Sequence, residues 1–364
     1  MLIIIIVIVG LSLLILGHEA GHFFAAKAFG LKVDEFGFGF PPRITAWKKG
    51  ETEYSLNWLP FGGFVKIAGE RGEFEMYDVD GSKGKEAAFI GRQMLSDKAS
   101  IANYERFLHA QPAWKKSIIM LAGVFMNFVL GWIFLSIVLM IGAPQALVIT
   151  DVQANSPAAA AGVMANDIVK GFTDSQSFID YVNAHKGEPT PIAVVRNDKE
   201  VDFTITPRVN PGPDEGALGV ALDETGTARE GFFASLRDGF LDAAILVWIT
   251  AQAFWQLISQ LFVHASLLPG VVGPVGIFGL AEETGHIGLI YLFQLLGIIS
   301  INLSVVNLIP FPALDGGRFV MVIIEKIKGS PLSPKIEAWV NGLGFAFLIL
   351  LMVLLTVRDV GNLL

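Results

Sequence analysis

The chain has 364 residues, no cysteine and a formal net charge of -8, with 53% of its residues apolar and a mean hydropathy of +0.57. This length admits two modest domains or one large one. The missing cysteines exclude thiolate metal ligands, a cysteine nucleophile and disulfides, and the lack of a basic block leaves nothing to attract nucleic acid.

The first element is an uncharged run, LIIIIVIVGLSLLIL, that continues through residues 17–22, GHEAGH, to about Ala26. It is long enough to span a bilayer. No basic residue precedes it, so residues 1–26 read as a retained helix rather than a removed leader. His18-Glu19-Ala20-Gly21-His22 has the H-E-x-x-H spacing. On a helix, positions i and i+4 share a face, so both imidazoles can grip one metal ion. Glu19 is placed to hold a metal-bound water and take its proton. Zinc suits two imidazoles, and a catalytic zinc needs three protein ligands and one open position. The competing reading, two helix-end histidines facing headgroups, is weaker because ionisable groups inside a span are functional by default.

Residues 33–68 alternate aromatics, glycines and prolines around the turn-like KKGE (48–51). They are expected to form β-strands associated with the cytoplasmic side of the membrane. An exposed strand edge there could pair with an extended substrate. Residues 69–116 read as a polar, helix-prone cytoplasmic loop with no assignable chemistry. A second span is expected at 117–142. Residues 146–171 then read as a strand, a Ser-Pro turn, a short alanine helix and another strand, with Asn166 at a turn that needs left-handed backbone. A helix near 175–185 and strands PIAVVRN and EVDFTITP complete one α+β domain over 143–209.

Residues 25–116 hold 14 of the 26 Lys and Arg, whereas 143–240 hold 7 against 14 Asp and Glu. The positive-inside rule places the former in the cytoplasm and the latter outside. Gln252, Gln256 and Gln260 put a polar stripe on 232–263, which reads as amphipathic and lying on the outer surface. Further spans are expected at 287–311 and 339–357. Asp315 follows the third, in NLIPFPALDGGRF (307–319), and is the one charged residue between Glu283 and Arg318. Asp-Gly-Gly is also an ordinary turn signal. Its place at the end of an uncharged span favours a third metal ligand, on the same face as His22 if four spans are counted. His109, His185, His264 and His286 lie in polar or interfacial stretches and are expected to be surface residues.

HEAGH in the first span together with NLIPFPALDGG in a late one resembles the site-2 protease family of intramembrane zinc metalloproteases, in its bacterial branch that cleaves anti-sigma factors. AGVFMNF (122–128) and GPVGIFG (273–279) add to the likeness. The resemblance implies zinc (Zn2+) held by His18, His22 and Asp315, with Glu19 as general base. It places Asn307 and Pro310 around the substrate. It also implies a multi-pass protein of the bacterial inner membrane, with its site toward the cytoplasm. The substrate would be a single-span transmembrane protein, cleaved in regulated intramembrane proteolysis, with lipid around it. Residues 143–209 look like a single extracytoplasmic PDZ domain, either a receptor for a peptide or protein ligand or a steric filter. The fold class is thus membrane α-helical, with about four transmembrane helices, a membrane-associated β element and an inserted α+β domain. A silent PDZ-bearing scaffold is the alternative, disfavoured by the intact HExxH and the LDG triplet at 314–316. A metal transporter would need ligands along a path across the bilayer.

Overall fold

The computed structural model describes residues 2–70, 105–196, 199–212, 215–264, 273–330 and 332–363, so the expected loop at 69–116 lies largely outside the described residues. The chain divides into two units, one of residues 1–133, 241–279 and 296–364 and the other of 134–240 and 280–295. Among the described residues, four helices are long and apolar enough to cross a membrane: Ile3–Ala28, Ala113–Ile141, Leu289–Leu308 and Lys335–Gly361.

In the first unit, the leading apolar run forms α1 (Leu2–Ala28). Nothing in it breaks a helix until Gly30, where the amides of Gly30 and Leu31 turn back onto the carbonyls of Lys27 and Ala26. Leu31 and Ala26 are fully buried, the apolar contact that accompanies such a stop. Strands β1 (Val33–Lys49) and β2 (Thr52–Ile67) follow as an antiparallel hairpin, paired from Val33 with Ile67 to Lys49 with Thr52. The Thr52 hydroxyl donates to the Val33 carbonyl at 2.8 Å. Where the register is irregular, the Asn57 amide donates to the carbonyls of Phe38 and Gly39 at 3.3 and 3.1 Å. Phe40, Ile44, Trp47, Trp58 and Leu59 are exposed along this hairpin.

Helix α2 (Ala113–Ile141) carries the second apolar run. The bundle is pinned by hydroxyls: Ser300 donates to the Asn127 carbonyl at 2.7 Å and Ser304 to that of Val124 at 2.9 Å. A hydroxyl buried in an apolar bundle must find such an acceptor.

The second unit holds a five-stranded antiparallel sheet in the order β6-β5-β4-β3-β7. Its elements are β3 (Ala143–Val152), α3 (Pro157–Ala161), β4 (Ile168–Val169), α4 (Ser175–Ala184), β5 (Thr190–Arg196), β6 (Lys199–Ile205) and β7 (Val220–Thr227). Ser156 caps α3 by accepting from the Ala159 amide, and Pro157 occupies the first helical turn, where no amide is required. Asn166 adopts the expected left-handed backbone, φ 69°. Phe178 and Val182 from α4 pack on Leu147, Val169 and Val194 of the sheet. Burying each such side chain contributes about 1.5–3 kcal/mol. The sheet does not stop at residue 209 as the sequence suggested. Strand β7 pairs along β3 from Val220 opposite Val152 to Thr227 opposite Ala143.

The remaining elements are α5 (Phe232–His264), α6 (Pro274–Ile287), α7 (Leu289–Leu308), α8 (Asp315–Lys328) and α9 (Pro334–Leu363). The expected span 287–311 is shorter as a helix, because the chain leaves helical geometry after Leu308.

Candidate active site

His18 and His22 lie one turn apart on α1, both buried. Their rings meet edge to face, 4.9 Å between centroids. Both rings sit against α2. His22 Nδ1 is 2.7 Å from the Ile119 carbonyl oxygen, and His18 Nδ1 is 3.1 Å from the side-chain amide of Asn127. Glycine makes this approach possible. A Cβ on Gly123 would collide with His22 Nε2 and His18 Cε1, and one on Gly21 would collide with the Ala122 carbonyl. The two rings therefore present Nε2 outward, 3.3 Å apart.

Asp315 is the first residue of α8. Between α7 and α8 the chain turns through Ala313, which holds φ 73°, and the Ala313 amide donates to Asn341 Oδ1 at 3.2 Å. Gly316 and Gly317 lie so close to the carbonyls of Leu308, Ile309 and Phe311 that a Cβ at either would collide. The short Leu-Asp-Gly-Gly segment thus lets the helix start tuck against the preceding turn and swing the carboxylate inward. Asp315 Oδ2 reaches 3.0 Å from His18 Nε2 and 3.3 Å from His22 Nε2.

These separations test the fit to a metal ion. Ligand atoms about 2.0–2.1 Å from a tetrahedral zinc stand roughly 3.3–3.4 Å from one another. Two of the three observed distances are 3.3 Å and the third is 3.0 Å. Asp315 Oδ2 is buried against the two imidazole nitrogens, where a cation can be shared by all three atoms. Two neutral imidazoles and a carboxylate are a zinc donor set. His18, His22 and Asp315 are the one such cluster found among the described residues.

The donors open on a cavity of about 720 Å³, lined also by Glu19, Asn127, Asn307, Arg318 and hairpin residues including Phe40 and Phe64. Glu19 Cγ lies 3.4 Å from where a Cβ on Gly63 of β2 would stand, so the hairpin packs against the Glu19 side chain. Arg318 pairs with Glu70 at the end of the hairpin. Of the two residues placed around the substrate by resemblance, Asn307 is half-buried on the cavity wall. Pro310 is exposed and is not among the lining residues. His109 and His185 stand apart, near the carbonyls of Gly69 and Tyr181. Asn127 escaped notice in the sequence, although a lone amide inside an uncharged span was a usable signal.

The model for the family described as Peptidase family M50 matches residues 6–351. The chain is 29% identical to the Regulator of sigma-W protease RasP of Bacillus subtilis, with 96% of each chain covered. It is 33% identical to the Putative zinc metalloprotease CPE1693 of Clostridium perfringens, with 98% of each covered. It is 31% identical to the Metalloprotease MmpA of Caulobacter vibrioides, over 90% of this chain and 87% of that one. The match runs nearly from end to end and takes in both halves of the His-His-Asp cluster: the chain belongs to peptidase family M50, as a zinc metalloprotease of the membrane.

Proposed function

We propose that the chain hydrolyses peptide bonds within or beside the transmembrane segments of single-span membrane proteins, such as anti-sigma factors or signal-peptide remnants. The observation that carries this reading is the convergence of His18, His22, Asp315 and Glu19 on one cavity in a unit whose helices are of membrane length.

His18, His22 and Asp315 would hold zinc, which would supply a Lewis acid for the scissile carbonyl and the attacking water. Glu19 accepts the proton of the attacking water and delivers it to the leaving amine. Asn307, on the cavity wall, donates from its amide to the oxyanion or to a freed backbone carbonyl. A helical substrate has its peptide groups satisfied internally, so it must unwind before cleavage. The hairpin supports a way to receive it. Strands β1 and β2 line the cavity, and an extended segment can pair with a strand edge. The exposed Trp47 and Trp58 suit a hairpin seated at the bilayer interface. By the charge asymmetry, the metal end faces the cytoplasm and residues 143–227 lie outside.

Those outer residues read as one PDZ domain. Between α4 and the edge strand β7 runs a groove lined by Phe178, Ile179, Val182, Leu218 and Val220, which favours a receptor for an extended peptide over a purely steric filter.

The test is Glu19→Gln. Purified variant is expected to hold about one zinc per chain and to leave a transmembrane substrate intact. Cleavage at the wild-type rate would remove Glu19 from the mechanism.

A further inference from the structure

We propose that Asn127 is the positioning residue of the metal site, its side-chain oxygen accepting the Nδ1–H of His18 and so aiming Nε2 at the zinc. This rests on the zinc reading above.

Asn127 is 1% exposed in an uncharged stretch of α2 that runs from Ser117 to Ile141. An amide buried there costs free energy unless both of its polar atoms are bonded. As placed, its Nδ2 lies 3.1 Å from His18 Nδ1, while its Oδ1 is buried with no hydrogen-bond partner among the described residues. His18 decides between the two ends of the amide. Its Nε2 points at Asp315 Oδ2 and His22 Nε2. A ring that offers the Nε2 lone pair to a metal carries its proton on Nδ1. A protonated Nδ1 cannot accept from Nδ2–H. A half-turn of the amide exchanges its oxygen and nitrogen in nearly the same space. The 3.1 Å contact then becomes Nδ1–H donating to Oδ1. The amide nitrogen takes the oxygen's former place, so it is the tautomer of His18, not the number of bonded amide atoms, that sets the orientation.

The register of α2 supports the same role independently. Ile119, Gly123 and Asn127 are spaced by four along one face, against His22 and His18, spaced by four on α1. Ile119 holds the far nitrogen of one ring and Asn127 that of the other. Gly123, between them, leaves room for both rings. Asn127 is itself anchored, because its carbonyl accepts from Ser300 of α7. Outer acceptors of this kind fix the tautomer and the aim of a metal-bound imidazole. The competing role for a buried asparagine is interhelical glue.

The experiment uses the full chain in detergent and two variants. Zinc affinity is measured by competition with a chromophoric chelator, the cobalt-substituted protein by its visible absorption, and the metal-free protein by its unfolding temperature. Asn127→Asp keeps the acceptor and is expected to bind zinc within about threefold of wild type, with an unchanged cobalt spectrum. Asn127→Leu is expected to lose roughly 10- to 100-fold in zinc affinity and to alter the cobalt bands, with a metal-free unfolding temperature like that of wild type. The proposal is overturned if the leucine variant binds zinc normally, or if the aspartate variant loses zinc as badly as the leucine variant. Should the leucine variant fail to fold, the aspartate variant decides alone: retained affinity and spectrum support the role, and lost affinity refutes it. A wild-type chain that binds no zinc would defeat the parent reading instead.

Discussion

His22 Nδ1 lies 2.7 Å from the backbone oxygen of Ile119, a carbonyl left open because the residue four positions on, Gly123, has no side chain to lean over it. In a helix the Cβ points back toward the N-terminus and covers the preceding turn. Gly123→Ala is therefore expected to displace both imidazoles while improving the intrinsic helix propensity of α2 by about 1 kcal/mol. Zinc affinity should fall roughly 10- to 100-fold, with the helical circular dichroism intact. Gly342→Ala, where an added Cβ meets nothing within 4 Å, is the control and should bind zinc normally.

Asp315→Ala removes one of the three proposed donors. Zinc content after exhaustive dialysis should drop from about one per chain to a small fraction of that, because two imidazoles alone do not hold a catalytic zinc. Cleavage should vanish with it. Asp315→Glu keeps the charge but lengthens the side chain by a methylene, which displaces the carboxylate from the 3.0 and 3.3 Å it keeps to the two Nε2 atoms, so partial retention of metal with much reduced cleavage is expected. Metal analysis beside a cleavage assay checks both.

The hairpin turn should loosen in acid. Hydrogen bonds from Lys27 and Arg106 hold the Glu51 carboxyl below the ordinary carboxylate range. The folded state thus binds that proton less readily than the unfolded chain. Its contribution to stability is complete above the ordinary carboxylate pKa and is lost as the pH falls through the lowered value. Exchange of the Lys32 amide, which is bonded to the Arg106 carbonyl, should accelerate over that window once corrected for intrinsic pH dependence. Glu51→Gln should abolish the change.

In the second unit, Asp167 is fully buried. It accepts from Arg196 at 2.7 and 2.6 Å and from the Met164 amide at 2.9 Å. Asp167→Ala leaves the Met164 amide and the Arg196 guanidinium without this acceptor, at a cost of about 2–4 kcal/mol. Hydrogen exchange in β4 and β5 of the full protein should rise accordingly, while the α1 amides should not respond.

The convergence of His18, His22 and Asp315 in the candidate site was legible because its signals are local. HExxH declares itself by helical spacing, and Asp315 by being the lone charge after a long apolar run. The first, second and last apolar runs likewise announced their helices. What escaped is what tertiary packing decides. Strand β7 follows the sequence Pro-Gly-Pro (211–213) and mixes VAL with DETGT, so its pairing with β3 could not be read from alternation alone. The end of α7 at Leu308 is set by a turn through Ala313 in left-handed geometry, which no alanine advertises. Asn307 and Pro310 were carried over together, yet only Asn307 reaches the cavity wall, because three residues after Asn307 the backbone has already left the helix. Asn127 is meaningful only once α2 is known to lie against α1.

The donor set draws on the first helix and on one that begins at Asp315, with most of the polypeptide between them. No nascent fragment that ends before Asp315 can assemble the complete set. A chain still being synthesised therefore lacks the proposed zinc set until residue 315 has been added.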